Sequence, residues 1–583
     1  MANHRLLEPA SLGPVALRNR VIMAPMTTRQ ADAEGHVTPD ALAYYAARAK
    51  GGVGLVTVEM AAPERVGKHR RNELGLYDDR FLPGLRELVR TIHAAGAKAS
   101  IQIGHGGGHT RVDICGETPI APSAVPHSVQ EGHTEVIVPE EMTVDRIRRT
   151  TEAFVGAAVR ARTAGFDAVE IHAAHGYLIS QFLAPGENIR SDGYGGSLEN
   201  RARFGLEILS AVKAAVPELA VVFRMNGDDF FDGGIGLDDA VQVAVWAAGR
   251  GADAIHMTGG HYRSQPSASI MIPPMATPQT PFLPFARAVK AKVGVPVIAV
   301  GRLGVPADAI AALDSGAADF VALGRPLLAD ADWVRKVAAG EDVRRCLACN
   351  TCVDGMRTGS TLHCLVNPIT GREIAYTGRQ PVRRGQRIAV IGGGPAGLTY
   401  ASAMAPANSV VVFEKERRLG GGFRWAGLAP KFQTVEARTA TFDAYICALE
   451  RSCTASGVTF RLGEDPIASP SLLAGFDHVV LATGAVYPAG TKGIVEAALN
   501  SGLARRGALG RLMADDRMRD YFYRRFRRAT GDDMRRRLSV SSVEVIGDAR
   551  QAGKSDAAIL DAFRAAYGLE EAHETRPERS LAS

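Results

Sequence analysis

Cys346, Cys349 and Cys352 stand at C-x2-C-x2-C spacing, and Cys364 follows twelve positions after the last of them. Three cysteines so spaced on one tight loop can aim their sulfurs at one small volume, which suits three corners of an iron–sulfur cube, and Cys364 can supply the fourth corner of a [4Fe–4S] cluster. Two other readings compete. A four-cysteine zinc site more often uses two separate C-x-x-C knuckles, and a disulfide cluster is not kept oxidised in a chain without a secretory signal. Cys115, Cys447 and Cys453, the other three of seven cysteines, are scattered. That pattern fits a reducing compartment, and the expected location is cytoplasmic.

Upstream of this loop, residues capable of chemistry recur at regular places. From Arg20 to about Gly340, short apolar runs alternate with amphipathic helical stretches, the pattern of a parallel sheet closed by crossover helices. The expected strands are Val21–Met26, Val53–Glu59, Ala99–Gly104, Ala168–Ala173, Ala220–Asn226, Ala254–Thr258, Pro296–Val300 and Phe320–Gly324. Helices are expected at Leu82–Ala95, Val144–Ala164, Leu206–Ala215 and Ala240–Ala248. Eight such strands predict a (β/α)8 TIM barrel, whose chemistry sits at the C-terminal strand ends. There the sequence places Pro25-Met26-Thr27, Glu59, Gln102 and His105, His172 and His175, Arg224 and Asn226, His261, Gly301-Arg302 and Gly324-Arg325. Gly-Arg pairs after strands seven and eight suit a phosphate-bearing cofactor: glycine lets backbone N–H groups approach the anion and arginine adds a charged fork.

The run from His175-Gly-Tyr177 through Pro185-Gly-Glu-Asn188 to Asp192-Gly-Tyr194-Gly-Gly-Ser-Leu-Glu-Asn200-Arg201 resembles the signature of the Old Yellow Enzyme superfamily. Ala24-Pro25-Met26-Thr27 and Ala121-Pro122-Ser123 add to it, and with the cysteine loop the chain is similar to the iron–sulfur branch containing 2,4-dienoyl-CoA reductase and trimethylamine dehydrogenase. The resemblance implies FMN held by Pro25, Met26, Thr27, Gln102, Arg224, Gly301, Arg302, Gly324 and Arg325. It also implies that His172 and His175 face substrate, that Tyr177 donates a proton, and that His261 is a further active-site residue. A hydride added to an electron-poor C=C bond puts negative charge on the conjugated carbonyl oxygen, where imidazole donors stabilise it while a tyrosine protonates the opposite carbon. Thr27 stands where the amine dehydrogenases tether FMN through cysteine, so the flavin is expected to be noncovalent. Met60 and Thr258 stand near positions where those enzymes use aromatic rings. Both departures favour C=C reduction over amine oxidation.

Beyond the cysteines, Arg387–Ile391 reads as a strand, Gly392-x-Gly394-x-x-Gly397 as a phosphate turn and Glu414 as the acid for ribose hydroxyls. With Gly484 and Asp548 these residues are expected to bind FAD, or ADP in the same site. Pro406 should end the helix after the turn early. Relatives insert a second, NAD(P)H-binding fold past Gly484, but only about 60 residues intervene here before Gly547-Asp548, too few for such a unit. The expected domains are a barrel at 1–340, an iron–sulfur loop and linker at 341–380, and a truncated nucleotide-binding module at 381–583 with an arginine-rich helical insert at 490–540. The formal charge of +6 is mild for 583 residues, and by itself calls for neither nucleic acid nor membrane. The expectation is a homo-oligomeric flavoenzyme acting on a small molecule. Its cluster would relay electrons between cofactor domains, and an electron-carrier protein is a possible partner. An amine dehydrogenase and a non-catalytic electron-transfer subunit are the alternatives.

Overall fold

The computed structural model describes residues 4–128, 136–376, 378–424, 426, 439–486, 501, 507–515, 518, 521 and 527–569. The chain divides into two compact units, Met1–Ile374 and Ala375–Ser583.

In the first unit the apolar runs form eight parallel strands: β1 (Val21–Met23), β2 (Leu55–Ala62), β3 (Lys98–Ile103), β4 (Ala168–Ala173), β5 (Ala220–Asn226), β6 (Ala254–Thr258), β7 (Val297–Ala299) and β8 (Phe320–Leu323). Each pairs with its sequence neighbours and β8 pairs back onto β1, which closes a TIM barrel. Side chains two apart share a face of a strand, and here the inward face changes character along each strand. At the N-terminal ends Leu55, Ala168, Ala220 and Ala254 pack with Leu12, Val15 and Leu17 of an N-terminal hairpin. Two residues further along β4 the inward position is Glu170, and two further still it is His172. One end of the barrel is therefore apolar and sealed, and the other is left for chemistry.

Local signals set the helix limits. Thr38 accepts a hydrogen bond from Ala41 N at the start of α1 (Pro39–Lys50), and Thr143 does the same for Arg146 N at the start of α2 (Val144–Ala164), which ends on left-handed Gly165. A short helix, α3 (Leu178–Leu183), follows Tyr177 directly. The helix expected from Leu206 begins earlier, as α4 (Leu198–Ala215), because Ser197 caps it by accepting from Asn200 N.

The cysteine segment, with its short helix α5 (Thr351–Arg357), belongs to the first unit. Leu362 N donates to Thr28 O at 2.9 Å. Asn367 Nδ2 and Thr370 Oγ1 donate to Leu328 O at 3.0 and 2.6 Å. Arg48 of α1, only 1% exposed, forms an ion pair with the buried Glu373. A buried arginine is tolerated only with such a partner, so this pair fixes where the chain leaves the cysteines.

The second unit holds a parallel five-stranded sheet in the order β11-β10-β9-β12-β13, from β9 (Arg387–Ile391), β10 (Ser409–Glu414), β11 (Thr459–Leu462), β12 (His478–Leu481) and β13 (Val543–Val545). This is a Rossmann-like arrangement. The helix after β9, α6 (Pro395–Met404), gives way to a single 3-10 turn, Ala405–Ala407, at Pro406 as expected. Of the expected insert, Leu503, Arg505, Arg524 and Arg525 lie outside the described residues, while helices span Gly507–Ala514 and Gly531–Arg535. Among the described residues no helix is long and apolar enough to cross a membrane.

Candidate active site

A carboxylate that the sequence reading passed over organises the polar end of the barrel. Glu170 on β4 is buried; its Oε1 accepts from Gln102 Nε2 at 2.7 Å and lies 3.7 Å from Arg224 Nη1, and its Oε2 lies 2.7 Å from His256 Nδ1. Burial opposes its charge, but His256 and Arg224 hold the carboxyl below the usual carboxylate range. Glu170 thereby balances Arg224, whose burial would otherwise be very costly. Arg224 Nε and His256 Nε2 are buried without hydrogen-bond partners.

Next to this layer come His172, His175 and Tyr177. The two imidazoles stand edge to face with ring centres 5.2 Å apart, and His172 is 4.9 Å from the Tyr177 ring. His175 is left-handed (φ 65) and Gly176 follows at φ 83, which turns the chain sharply off β4; His175 Nε2 meets Thr258 Oγ1 at 3.0 Å. Burial, then His175 and Arg224 as neighbours, holds the His172 ring well below the usual histidine range. Burial followed by Arg224 does the same to His175, so both rings are neutral. Burial pushes the Tyr177 phenol well above its usual value. Its hydroxyl is 3.1 Å from His69 Nε2, and His69 Nδ1 is 2.6 Å from Glu73 Oε2. Tyr262 lies 5.7 Å from Tyr177 across the same wall, with Met60 and Met271 packed against both.

His261 is not among these rings. Its backbone pairs with His175, but its imidazole Nε2 turns to Glu187 at 3.1 Å, in a separate buried polar group with His109 and His127. The His261 ring packs against Gly176, but among the described residues no ring contact joins it to His172 or Tyr177.

At the ends of β1 and β8, Pro25, Met26 and Thr27 are partly buried, and a Cβ on Gly324 would lie 2.7 Å from Met26 Sδ. Thr28, the next residue, donates its N–H and hydroxyl to Glu59. Burial raises the Glu59 carboxyl to about 7 despite these bonds. Gly301 and Arg302 are both left-handed, at φ 105 and 52. Arg302 bonds the carbonyls of Met275 and Thr277. Arg325 bonds Pro273 O and the Asn350 side chain of the cysteine loop, so the strand-eight arginine touches both the barrel mouth and the cysteines.

Cys346, Cys349, Cys352 and Cys364 line one small, partly open hollow with Arg325 and Leu328. Two left-handed non-glycine residues, Ala348 and Asn350, curl the loop so that successive sulfurs face inward. Ala348 N and Thr351 Oγ1 each approach a cysteine sulfur at 3.4 Å. Burial followed by the Cys346 sulfur raises the Cys349 thiol, and the same two causes push Cys352 to about 12 and raise Cys364 further. Four thiols around one hollow are a donor set that a metal centre would bind as thiolates, displacing their protons.

In the second unit Gly392 is left-handed (φ 113) and a Cβ on Gly397 would fall 2.0 Å from Gly392 O, so both glycines are required by the turn. Gly394 caps α6. Glu414 accepts from Gly393 N at 2.8 Å, closing the turn over the end of β10. Gly484 is left-handed at φ 73. Asp548 is engaged by Arg527, which also donates to Gly553 O at 2.8 Å. Sequence spacing did not anticipate that pairing.

The model of the NADH:flavin oxidoreductase / NADH oxidase family matches residues 5–343, and an NAD(P)-binding Rossmann-like domain model matches 390–431. The chain is similar to an NADH oxidase of Thermoanaerobacter brockii, 37% identical over 82% of this chain and 72% of that one. It is also similar to an N,N-dimethylglycine/sarcosine dehydrogenase of Chromohalobacter salexigens, 32% identical over 83% of this chain and 70% of that one. A cinnamate reductase of Clostridium sporogenes is 31% identical over 82% of this chain and 74% of that one. The matched barrel, the Old Yellow Enzyme signature and the nucleotide turn agree, and the chain belongs to the NADH:flavin oxidoreductase / NADH oxidase family, as an FMN-dependent oxidoreductase.

Proposed function

We propose that the enzyme reduces a C=C bond conjugated to a carbonyl. The observation that carries this reading is the Tyr177 hydroxyl, kept protonated by burial and backed by His69 and Glu73, beside two neutral imidazoles. FMN, when bound, supplies hydride from its N5. Gln102 and Arg224, held by Glu170, would face its ring; Pro25, Met26 and Thr27 would line one side, and Gly301, Arg302, Gly324 and Arg325 would hold its phosphate. His172, whose Nδ1 has no partner, and His175 would hydrogen-bond the carbonyl oxygen as charge develops there. Tyr177 would give its proton to the other carbon, and His69 Nε2, beside the phenol oxygen, is placed to return one.

Cys346, Cys349, Cys352 and Cys364 would hold a [4Fe–4S] cluster, which passes single electrons when present. The Gly392–Gly397 turn and Glu414 would hold the pyrophosphate and ribose of FAD or ADP. An electron-carrier protein is the proposed donor.

The rival is oxidation of an N-methyl amine, favoured by Tyr177 and Tyr262, whose rings meet edge to face 5.7 Å apart and could border a cation. Anaerobic mixing decides. Flavin reduced beforehand should be re-oxidised by an enoate or enone, and oxidised flavin should stay oxidised with N-methyl amines. The reverse result would replace C=C reduction by amine oxidation.

A further inference from the structure

We propose that Glu187 and the imidazoles of His109 and His127 bind one divalent first-row transition ion in the barrel's upper loops, apart from the cysteines, with His261 holding the carboxylate from outside. His109, Glu187 and His261 each bring a ligand atom within 4.8 Å of the others. His127 Nδ1 lies 3.4 Å from Glu187 Oε1, and the His109 and His127 rings are 4.5 Å apart. Ligand bonds near 2.0–2.1 Å in a tetrahedral site put donor atoms about 3.3 Å apart; the His127–Glu187 pair already has that spacing, and the His109 ring would have to close on it.

What calls for an ion is the state of the polar atoms. Neither ring nitrogen of His109 has a hydrogen-bond partner, and His127 Nδ1 has none. The side chains of His127 and Glu187 are 1% and 0% exposed. Buried polar groups are nearly always satisfied, and a simple ion pair of His261 with Glu187 leaves both other imidazoles unexplained. The role of His261 follows from its second nitrogen. Arg263 N–H points at His261 Nδ1 at 3.0 Å, so the Nε2, which lies 3.1 Å from Glu187 Oε2, carries the proton and cannot ligate. An outer donor of this kind orients a ligating carboxylate.

Two nitrogens and one carboxylate suit zinc or ferrous iron better than magnesium or calcium. The site also reaches the reaction centre mechanically. Gln181 accepts from Gly108 N at 3.1 Å and donates to Gly176 O at 2.7 Å, joining the His109 turn to the turn that carries Tyr177.

The test is zinc binding by the whole protein, purified anaerobically with its cofactors, loaded with Zn²⁺ and desalted over a chelating resin. Wild type should retain one zinc per chain. His109→Gln and His127→Gln should each retain less than a tenth of that, with flavin and visible absorbance unchanged. Absence of retained zinc in wild type, or undiminished zinc in both variants, overturns the site. Should the variants fail to fold, X-ray absorption at the zinc edge of wild type decides: nitrogen and oxygen neighbours alone support the site, and sulfur neighbours place the zinc on the cysteines and refute it.

Discussion

Tyr177 is useful as an acid only because burial keeps its proton on, and a buried phenol that has given up a proton needs one back quickly. Tyr177→Phe should leave flavin reduction nearly intact and slow re-oxidation by an enone about 10²–10⁴-fold, the size of a general-acid contribution; stopped-flow absorbance separates the two steps. If His69 acts through Tyr177, His69→Phe should lower kcat with little change in KM and add almost nothing to Tyr177→Phe, since residues in one network are not additive. Full additivity would mean that His69 works elsewhere. Glu59 offers a second residue-level test, with a definite sign. Its carboxyl titrates near 7 in the folded chain against an ordinary 4.5. Between these values the folded chain binds the extra proton, so stability is fully present below about 4.5 and is lost as pH rises through 7, by up to about 3 kcal/mol. Glu59→Gln should remove that slope, read as urea midpoints at pH 5 and pH 8; an unchanged slope would assign the titration to another group.

At the scale of elements, Gly397→Ala should damage the second unit alone. A Cβ there meets Gly392 O, and overpacking of this kind costs about 1–3 kcal/mol. The variant should lose bound adenine nucleotide while FMN content stays at the wild-type level; loss of FMN instead would contradict the division into two units. Ala168–Ala173, Ala220–Asn226 and Ala254–Thr258 were legible to the residue because each is an apolar run broken by polar residues at its mouth end. The start of α4 was not, since Ser197 lies among glycines that read as loop. Less legible still were Glu170 between Gln102 and His256, His69 beside Tyr177, and His109 near Glu187. These partners are 68 to 108 positions apart for the first two sets, and only closure of the barrel brings them together. Spacing rules see neighbours in sequence, so they found the cysteine loop and the glycine turn and missed the networks.

The chain as a whole carries four cysteines that would hold a one-electron centre, a flavin barrel and a nucleotide turn, and the roughly 60 residues between Gly484 and Gly547 are shorter than the second dinucleotide fold expected to present a nicotinamide to an FAD ring. Direct hydride transfer into the barrel would make the cysteines superfluous, whereas electrons arriving singly would require them. In the arginine-rich insert, Arg527 is engaged with Asp548, whereas Arg528, paired with Asp533, stays largely exposed and could still attract an acidic carrier. The cysteines themselves give the sharper test. Purified protein should contain about four iron atoms per chain, and Cys346→Ser with Cys352→Ser should remove them while leaving noncovalent FMN in place, since Thr27 cannot form a thioether. In the double variant, turnover driven by a reduced viologen, which delivers one electron at a time, should fall at least 10²-fold. Any turnover driven by NAD(P)H should persist, because hydride needs only the barrel. Equal losses with both donors would mean that the cysteines hold the barrel together, and no loss with either would remove the cluster from the electron path.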